Sequence, residues 1–327
     1  MPRDRLGREI DYLRISLIDH CNLRCVYCMP LDAVFRPSAD LLTAGELEVV
    51  ARAAVAVGFR RIRLTGGEPT LRPDLVEIVQ RVAHVPGLTD LALTTNGILL
   101  PRLAPALAAA GLRRVNVHCD TLEPERLATI MRFGAFAEIW AGILAAEEAG
   151  LTPIKLNAVV TRGYNDSDVV ALAALTRARN WHVRFIELMP LGVGAPAELS
   201  RQAYVPSAET RARIEAALGP LTVLPIVDPA DESRNYRFAD GRGIVGFISP
   251  VSAPYCGTCN RMRLTADGRF HLCLLNDDEL DVRAALRRGG EAAVAEVLLE
   301  AVWAKPVGHR LSAGHTIERR EMFQLGG

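Results

Sequence analysis

The chain has no excess of charge of either sign, since 38 basic side chains balance 38 acidic ones among 327 residues. A balanced chain produces no broad electrostatic field, so nothing in its composition favours binding to nucleic acid or to an anionic membrane surface. An anionic ligand would have to be held by a local cluster of basic side chains. We therefore expect neither nucleic acid nor a membrane as a partner.

Long hydrophobic runs are also absent, although 50% of the residues are apolar. No uncharged apolar stretch reaches the length of about 18 residues that a membrane span requires. The charged start, MPRDRLGREI, lacks the apolar segment of a secretory signal. These features predict a cytoplasmic globular protein, in which disulfides are rare and clustered cysteines favour metal binding or redox chemistry.

Cysteine is scarce, with seven residues, yet six of them fall into two groups of three. The first group has the spacing C-x3-C-x2-C and the second C-x2-C-x13-C, while Cys119 stands alone. The two groups are Cys21, Cys25, Cys28 and Cys256, Cys259, Cys273. Three cysteines are one ligand short of a closed structural zinc site, whereas an iron-sulfur cube held by three thiolates keeps one iron open. By spacing alone, zinc completed by a distant ligand remains an alternative.

Short apolar runs alternate with amphipathic stretches through residues 1–190, which is typical of βα repeats around a parallel sheet. The predicted strands are residues 12–18, 61–67, 90–97, 114–120, 153–160 and 182–189. The predicted helices are residues 43–58, 73–85, 100–111, 136–150 and 167–180. Thr43 and Glu46 form a predicted capping box for the first helix. Six repeats predict an α/β fold, a partial (β/α)6 TIM-like barrel, with ligands at the carboxyl ends of its strands.

The repeat pattern weakens near residue 191, where we place a boundary between residues 1–190 and a C-terminal region, residues 191–327. In that region, residues 191–198 and 226–243 are predicted to be loops because turn-forming residues dominate them. A short predicted strand, residues 243–249, precedes the second cysteine group. A predicted core helix covers residues 291–305.

The first cysteine group and the sequence TGGEP at residues 65–69 together resemble the cluster loop and glycine motif of radical S-adenosylmethionine (SAM) enzymes. The resemblance implies a [4Fe-4S] cluster whose open iron chelates the amino and carboxylate groups of SAM. It also implies that Gly66 and Gly67 let the main chain approach the methionyl amine of SAM closely. Glu68 would offset the positive charge of that amine.

A closer resemblance extends over residues 7–327. The opening GREIDYLRISLIDHCNLRCVYCMP, the two cysteine groups and the terminal Gly-Gly are similar to the molybdenum cofactor biosynthesis protein A family, MoaA, whose members are GTP 3',8-cyclases. The family implies a C-terminal extension with a second [4Fe-4S] cluster, which binds the guanine of GTP. A 5'-deoxyadenosyl radical from SAM removes the 3' hydrogen of GTP, and the product is 3',8-cyclo-7,8-dihydro-GTP.

The same resemblance implies several partners. Flavodoxin or ferredoxin would supply electrons, and a cyclic pyranopterin monophosphate synthase would consume the product. A homodimer is compatible with the resemblance. Two rival hypotheses stay open: a radical SAM enzyme with one auxiliary cluster that acts on another substrate such as a peptide, and a zinc-stabilised binding protein.

Site residues are implied by matching motifs. Contacts to SAM are implied for Tyr27, Gly66, Gly67, Glu68, His118 and Met189. Contacts to GTP are implied for Arg14, Arg63, Thr94, Lys155, Arg261, Met262 and Arg263. Catalytic roles are implied for Arg261, Arg263, Gly326 and Gly327. His118 departs from the family, in which a serine is expected to touch SAM at this position.

Three of the GTP contacts have independent support from the chemistry of the strands. Arg14, Arg63 and Lys155 are charges within otherwise apolar strands, and a charge on the inner face of a sheet is costly unless an anion pairs with it. The alternative is that each side chain pairs with an acidic neighbour or points outward. Three such charges in separate strands favour a triphosphate.

Overall fold

The computed structural model describes residues 1–191, 195–309, 311, 317 and 319–326. The strands are Tyr12–Ser16 (β1), Arg61–Thr65 (β2), Asp90–Thr95 (β3), Arg114–His118 (β4), Lys155–Val160 (β5), His182–Glu187 (β6), Thr222–Val223 (β7), Ser233–Arg237 (β8), Ile244–Ile248 (β9), Arg261–Leu264 (β10), Arg269–His271 (β11) and Glu279–Asp281 (β12). The α-helices are Ala44–Val57 (α1), Leu75–Ala83 (α2), Leu100–Ala109 (α3), Pro124–Met131 (α4), Phe136–Glu148 (α5), Val169–Ala178 (α6), Ala195–Gln202 (α7), Ser207–Leu218 (α8), Val282–Ala304 (α9) and Met322–Leu325 (α10).

The described strands form one sheet in the order β12-β11-β10-β1-β2-β3-β4-β5-β6-β9-β8-β7. The strands from β10 through β1–β6 to β9 all run parallel to their neighbours, and antiparallel strands cover both edges. The βα order of the first six strands confirms the predicted α/β partial barrel. Strands β9 and β10 extend the same sheet, so residues after 190 continue the barrel wall. The boundary at residue 190 stays a prediction.

Alternation along each strand decides which side chains line the interior. In β1, Leu13 and Ile15 are fully buried in the hydrophobic core, whereas Arg14 lines an internal cavity. Successive side chains of a strand point to opposite faces of the sheet. The charged residues that interrupt the apolar strands therefore face the inside of the barrel.

The predicted helices form on the outer side of this sheet. Helix α1 begins with the predicted capping box, in which Thr43 Oγ1 accepts a hydrogen bond from the Glu46 amide at 3.2 Å and the Glu46 carboxylate accepts one from the Thr43 amide at 2.8 Å. Within the described ranges no single helix is both long and apolar enough to cross a membrane, and the sharply bent pair α4 and α5 meets those criteria only when the two are taken together.

Several elements depart from the sequence-based prediction. Helices α4 and α8 and strands β7, β10, β11 and β12 lie where no element is predicted, and α7 begins inside the predicted loop at residues 191–198. Strand β8 lies inside the predicted loop at residues 226–243. It was not predicted because its sequence SRNYR is polar and carries no apolar alternation. Helix α9 begins at Val282 rather than at residue 291, and its non-helical Gly289 and Gly290 divide it, so only the second part shows helical periodicity.

Candidate active site

One cavity of about 280 Å3 lies inside the barrel and is lined by all six grouped cysteines. The first group follows β1 and so lies at the carboxyl ends of the parallel strands. In the second group, Cys256 and Cys259 precede β10, and Cys273 follows β11, which is antiparallel to β10. The two groups therefore face the same cavity from opposite ends of the strands. The predicted ligand contacts that line it are Arg14, Tyr27, Arg63, Gly66, Gly67, Glu68, Thr94, His118, Met189, Arg261 and Arg263.

The first cysteine loop is compact, and its three cysteines are half-buried. The amides of Cys28 and Met29 both donate to the Cys25 carbonyl, at 2.9 and 3.1 Å. Burial raises the pKa of the Cys21 thiol to about 11 and that of the Cys28 thiol to about 12. Because metals bind thiolates, the positive charge of a bound metal group would favour the deprotonated form that burial opposes.

The glycine motif packs directly against the main chain of this loop. A Cβ atom on Gly66 would lie 2.4 Å from the Ile18 carbonyl oxygen, and one on Gly67 would lie 2.4 Å from the carbonyl oxygens of Asp19 and His20. The Gly67 amide donates to the Ile18 carbonyl at 2.6 Å. The absence of side chains at Gly66 and Gly67 therefore allows the end of β2 to pack against the cysteine loop. The close approach of these glycines to SAM stays a prediction.

Glu68 is engaged by the protein itself. Its carboxylate accepts hydrogen bonds from the Thr70 amide and hydroxyl at 3.0 and 2.5 Å, from Thr95 Oγ1 at 2.7 Å and from the Asn96 amide at 2.6 Å. Burial raises the pKa of Glu68. The side chain therefore joins the ends of β2 and β3, and its expected role in offsetting the charge of SAM stays a prediction.

Tyr27, His118 and Asp120 form a hydrogen-bonded triad beside the first cysteine group. The Tyr27 hydroxyl donates to Asp120 Oδ2 at 2.6 Å and lies 2.7 Å from His118 Nε2, which is 2.9 Å from the same carboxylate oxygen. Burial alone would lower the pKa of His118, but the charge of Asp120 outweighs it and raises that pKa. The histidine that departs from the family is therefore held in place by a buried acid. Asp120 has no predicted role.

A buried lysine holds the segments that carry the second cysteine group. Lys305 Nζ donates to the carbonyl oxygens of Arg261 at 2.7 Å and Leu272 at 2.9 Å. Burial would raise the pKa of the Cys259 thiol, but the charges of Lys305 and Arg261 outweigh it and lower that pKa to about 7. Lys305 thus both fixes the two segments and favours the thiolate that a metal needs.

Arg8 secures the beginning of the same group. Its guanidinium pairs with Asp4 at 2.6 Å and donates to the carbonyl oxygens of Cys256 and Pro306, each at 2.7 Å. The N-terminal segment, the cysteine segment and the chain after α9 therefore meet at this site. Neither Arg8 nor Lys305 has a predicted role, because the carbonyl groups to which they donate are far away in the sequence.

The two cysteine groups suit iron-sulfur clusters better than single metal ions. Within the part of the chain that the structure describes, no group of three or more His, Cys, Asp or Glu side chains could hold a single ion. A closed zinc site needs four converging ligands, so the zinc alternative gains no support. A cube of four irons separates its cysteine sulfurs, and three half-buried thiols facing one cavity are a fitting donor set for it.

Buried arginines form the wall between the two cysteine groups. They are Arg14, Arg63, Arg184, Arg261 and Arg263, each less than 10% exposed. Arg14 lies in register with Arg63 on one side and Arg263 on the other. Burial and the charge of Arg14 lower the pKa of Arg263 to about 9, and burial and the charge of Arg63 lower that of Arg184 to about 10. The wall therefore concentrates positive charge in a buried space, where each guanidinium ion is destabilised by burial and by its charged neighbours.

One carboxylate, that of Glu232, faces this wall. It lies 2.6 Å from Arg14 Nη2, 2.8 Å from Arg261 Nη1 and 3.8 Å from Arg63 Nη1. Burial alone would raise the pKa of Glu232, but the arginine charges outweigh it and hold that pKa well below its ordinary range. Arg14 and Arg63 thus pair with an acidic residue, as the alternative in the sequence analysis stated, although both also line the cavity. Since Glu232 is 218 residues from Arg14, no local pattern marks it.

Two predicted GTP contacts, Met262 and Lys155, do not line the cavity. Met262 is fully buried in the hydrophobic core because it alternates along β10 with Arg261 and Arg263, so its side chain points to the other face of the sheet. Its predicted contact with GTP stays a prediction. Lys155 does not line the cavity, and burial together with the charge of Arg184 lowers its pKa to about 7.

The C-terminal tail reaches the end of β2. Arg263 Nη1 donates a hydrogen bond to the Gly326 carbonyl oxygen. Gly326 has a φ of +75°, and a Cβ atom there would lie 2.5 Å from Thr65 Cγ2. The position therefore requires glycine for its conformation and for space. Gly327, the other predicted tail residue, lies outside the described residues.

Sequence comparisons match nearly the whole chain. The Radical SAM superfamily model matches residues 15–176, and the Molybdenum Cofactor Synthesis C model matches residues 181–311. A GTP 3',8-cyclase of Pelotomaculum thermopropionicum is 49% identical, over 99% of this chain and 100% of the relative. A GTP 3',8-cyclase of Moorella thermoacetica is 46% identical, also over 99% of this chain and 100% of the relative.

Solved structures are similar in fold at low sequence identity. Streptococcus suis SuiB bound to S-adenosylmethionine has a TM-score of 0.64 and 14% identity, over 91% of this chain and 67% of SuiB. SuiB bound to its precursor peptide SuiA has a TM-score of 0.66, over 92% of this chain and 66% of SuiB. The likeness agrees with the barrel and its edge strands. From the full-length relatives and both family models, we conclude that the chain belongs to the GTP 3',8-cyclase family of radical SAM enzymes.

Proposed function

We propose that this chain converts GTP into 3',8-cyclo-7,8-dihydro-GTP for molybdenum cofactor biosynthesis, with SAM as cosubstrate and two [4Fe-4S] clusters. Membership of the radical SAM enzymes supports SAM and a cluster at the first cysteine group. The assignment of a second cluster is supported by the three thiols of the second group, which line the same cavity. Their ligands would be Cys256, Cys259 and Cys273.

The observation that carries the GTP assignment is the row of buried arginines between the two cysteine groups. Burying a cation costs free energy unless an anion compensates it. In the described part of the chain, Arg14 Nε, Arg63 Nε, Arg184 Nη2 and Arg261 Nη2 are buried without a hydrogen-bond partner. A triphosphate carries several negative charges and accepts paired hydrogen bonds from guanidinium groups, so it suits this wall.

The chain's own residues bind and orient the reactants. Arg14, Arg63, Arg261 and Arg263 hold the phosphates, so that the ribose lies toward the first cysteine group and the guanine toward the second. Cys21, Cys25 and Cys28 would hold the first cluster, which would supply the electron for reductive cleavage of SAM, and the 5'-deoxyadenosyl radical so formed would take the 3' hydrogen of GTP. Because that radical attacks the nearest hydrogen, fixed placement of the ribose and exclusion of water decide the outcome.

The reaction also implies partners of defined chemistry. A one-electron donor such as flavodoxin or ferredoxin would reduce the first cluster. A cyclic pyranopterin monophosphate synthase would consume the product in the cytoplasm. Both partners follow from the family's reaction. A homodimer is also compatible with the family resemblance.

The test is an anaerobic incubation of the reconstituted full chain with dithionite, SAM and GTP. We expect 5'-deoxyadenosine to form only when GTP is present, together with a product of the same mass as GTP. ATP in place of GTP is the matched control. Formation of 5'-deoxyadenosine at equal rates with and without GTP would contradict the proposal.

A further inference from the structure

A strap of chain, residues 228–232, crosses from the β8 edge of the sheet to the strands at its other side. Asp228 pairs with Arg61 of β2 at 2.6 Å, and the Ala230 carbonyl accepts a hydrogen bond from Arg261 of β10 at 3.0 Å. Glu232 then accepts two hydrogen bonds from Arg14 Nη2, at 2.8 and 2.6 Å. The strap thus bridges the open side of the barrel entirely through arginines.

Glu232 lies inside the cavity rather than on its rim. Its side chain is 10% exposed, and it lines the cavity together with Arg14, Arg63 and Arg261. It takes the place beside these guanidinium groups that an anionic ligand would use. The carboxylate of the neighbouring Asp231 does not face the arginines in this way. It accepts hydrogen bonds from the Ser233 amide and from Asn235 Nδ2, both in β8.

One carboxylate does not neutralise this wall. Glu232 offers a single negative charge, whereas Arg14, Arg261 and Arg63 each carry one positive charge within 4 Å of it. A carboxylate can only accept hydrogen bonds, so it repels a phosphate brought to the same guanidinium groups. Glu232 and a phosphate group therefore compete for the guanidinium groups of Arg14 and Arg261.

We propose that Glu232 is a resident anion that occupies the phosphate subsite and is displaced, with the strap, when a polyphosphate binds. The identity of that ligand as GTP rests on the proposed function. Displacement replaces one negative charge beside the arginines with several. A triphosphate therefore forms enough hydrogen bonds to displace the carboxylate, whereas a singly charged anion does not. Glu232 thereby makes the subsite selective for polyanions and keeps the arginines paired while the site is empty.

The first experiment measures binding of inorganic tripolyphosphate to the full chain by calorimetry at fixed ionic strength. Glu232→Gln keeps the shape of the side chain but removes its charge, and we expect it to bind tripolyphosphate about 10-fold or more tightly than the unaltered chain. Glu198→Gln is the matched control, since Glu198 lies on α7 and its partners are exposed Arg201 and Gln202. Equal or weaker binding by Glu232→Gln would overturn the proposal.

A second experiment needs no variant. Amide hydrogen exchange of residues 228–232 should become faster when tripolyphosphate is added to the unaltered chain, because the strap loses its arginine partners. Unchanged or slower exchange would overturn the proposal, even if cyclisation of GTP proceeds. Faster exchange in a chain that makes no 5'-deoxyadenosine with GTP would leave the displaced carboxylate established and contradict the proposed function instead.

Discussion

Arg263 donates a hydrogen bond from its guanidinium to the carbonyl oxygen of Gly326, so the barrel wall holds the C-terminal tail directly. The same arginine lies in register with Arg14 and lines the cavity. The tail therefore shares its anchor with the subsite proposed for the triphosphate. Substitutions in the tail should therefore change the rate at which GTP is turned over.

Gly326→Ala should lower turnover of GTP while leaving the cysteine groups intact. The added Cβ would lie 2.5 Å from Thr65 Cγ2, and φ is +75°, so the tail must leave its position. Gly150→Ala is the matched control, because Gly150 has a φ of +76° with open space around it. We expect both variants to keep their iron, and only Gly326→Ala to lose activity in a GTP-dependent assay of 5'-deoxyadenosine. Equal activity of the two variants would contradict the role of the tail.

Arg263→Ala should weaken GTP binding by about 10-fold to 100-fold, the usual loss for a charge-assisted hydrogen bond. Arg269→Ala, on the neighbouring β11, is the control, because Arg269 is half exposed and pairs with Asp281. Equilibrium dialysis of GTP against both variants checks the prediction. If Arg263→Ala binds GTP as well as Arg269→Ala does, the phosphate subsite lies elsewhere.

Cys28→Ala should abolish reductive cleavage of SAM and lower iron from about eight to about four per chain, since each cube holds four irons. Cys119→Ala serves as control. Cys119 is buried in the core outside both groups, and its replacement should leave the iron content unchanged. Chemical analysis of iron and sulfide in anaerobic preparations decides the matter. Full iron content in Cys28→Ala would exclude it as a cluster ligand.

GTP affinity should fall as the pH rises above 7 because of Lys155. Burial, followed by the charges of Arg184, Arg114 and Arg63, lowers the pKa of this lysine to about 7, with Asp231 acting in the opposite direction. In the free protein the amine is therefore largely neutral above that pH. A bound polyanion favours the ammonium form, so binding takes up a proton, and affinity falls by at most about tenfold per pH unit.

The measurement is calorimetry of GTP binding between about pH 7.5 and 8.5, in buffers of different ionisation enthalpy, which reports the proton taken up. Lys155→Met removes the titrating group and should flatten the pH dependence. A slope that is the same in Lys155→Met and in the unaltered chain would show that another group titrates.

The barrel was predictable from local patterns because helices and strands have different periods. The capping box of Thr43 and Glu46, and the strand positions of Arg14 and Arg63, were recognisable from their neighbours alone. An arginine within an apolar strand is conspicuous, since burying it without an anion is costly. Strand β8 escaped prediction because its polar sequence, SRNYR, shows no apolar alternation.

The contacts that complete the site were beyond local patterns. Glu232, Lys305 and Arg8 are ordinary charged residues in their own segments, and each acquires its role from a partner distant in the chain. Asp120 lies two residues from His118, yet only folding brings it to Tyr27. The alternation of β10 places the side chain of Met262 in the core, between Arg261 and Arg263 in sequence, and its predicted contact with GTP stays a prediction.

The most direct test of the central claim uses GTP that carries deuterium at C3', incubated anaerobically with the reduced, reconstituted chain and SAM. If the cavity between the two cysteine groups places the ribose of GTP beside SAM, mass spectrometry will find one deuterium in the 5'-deoxyadenosine. Unlabelled 5'-deoxyadenosine formed alongside consumption of the labelled GTP would contradict this account.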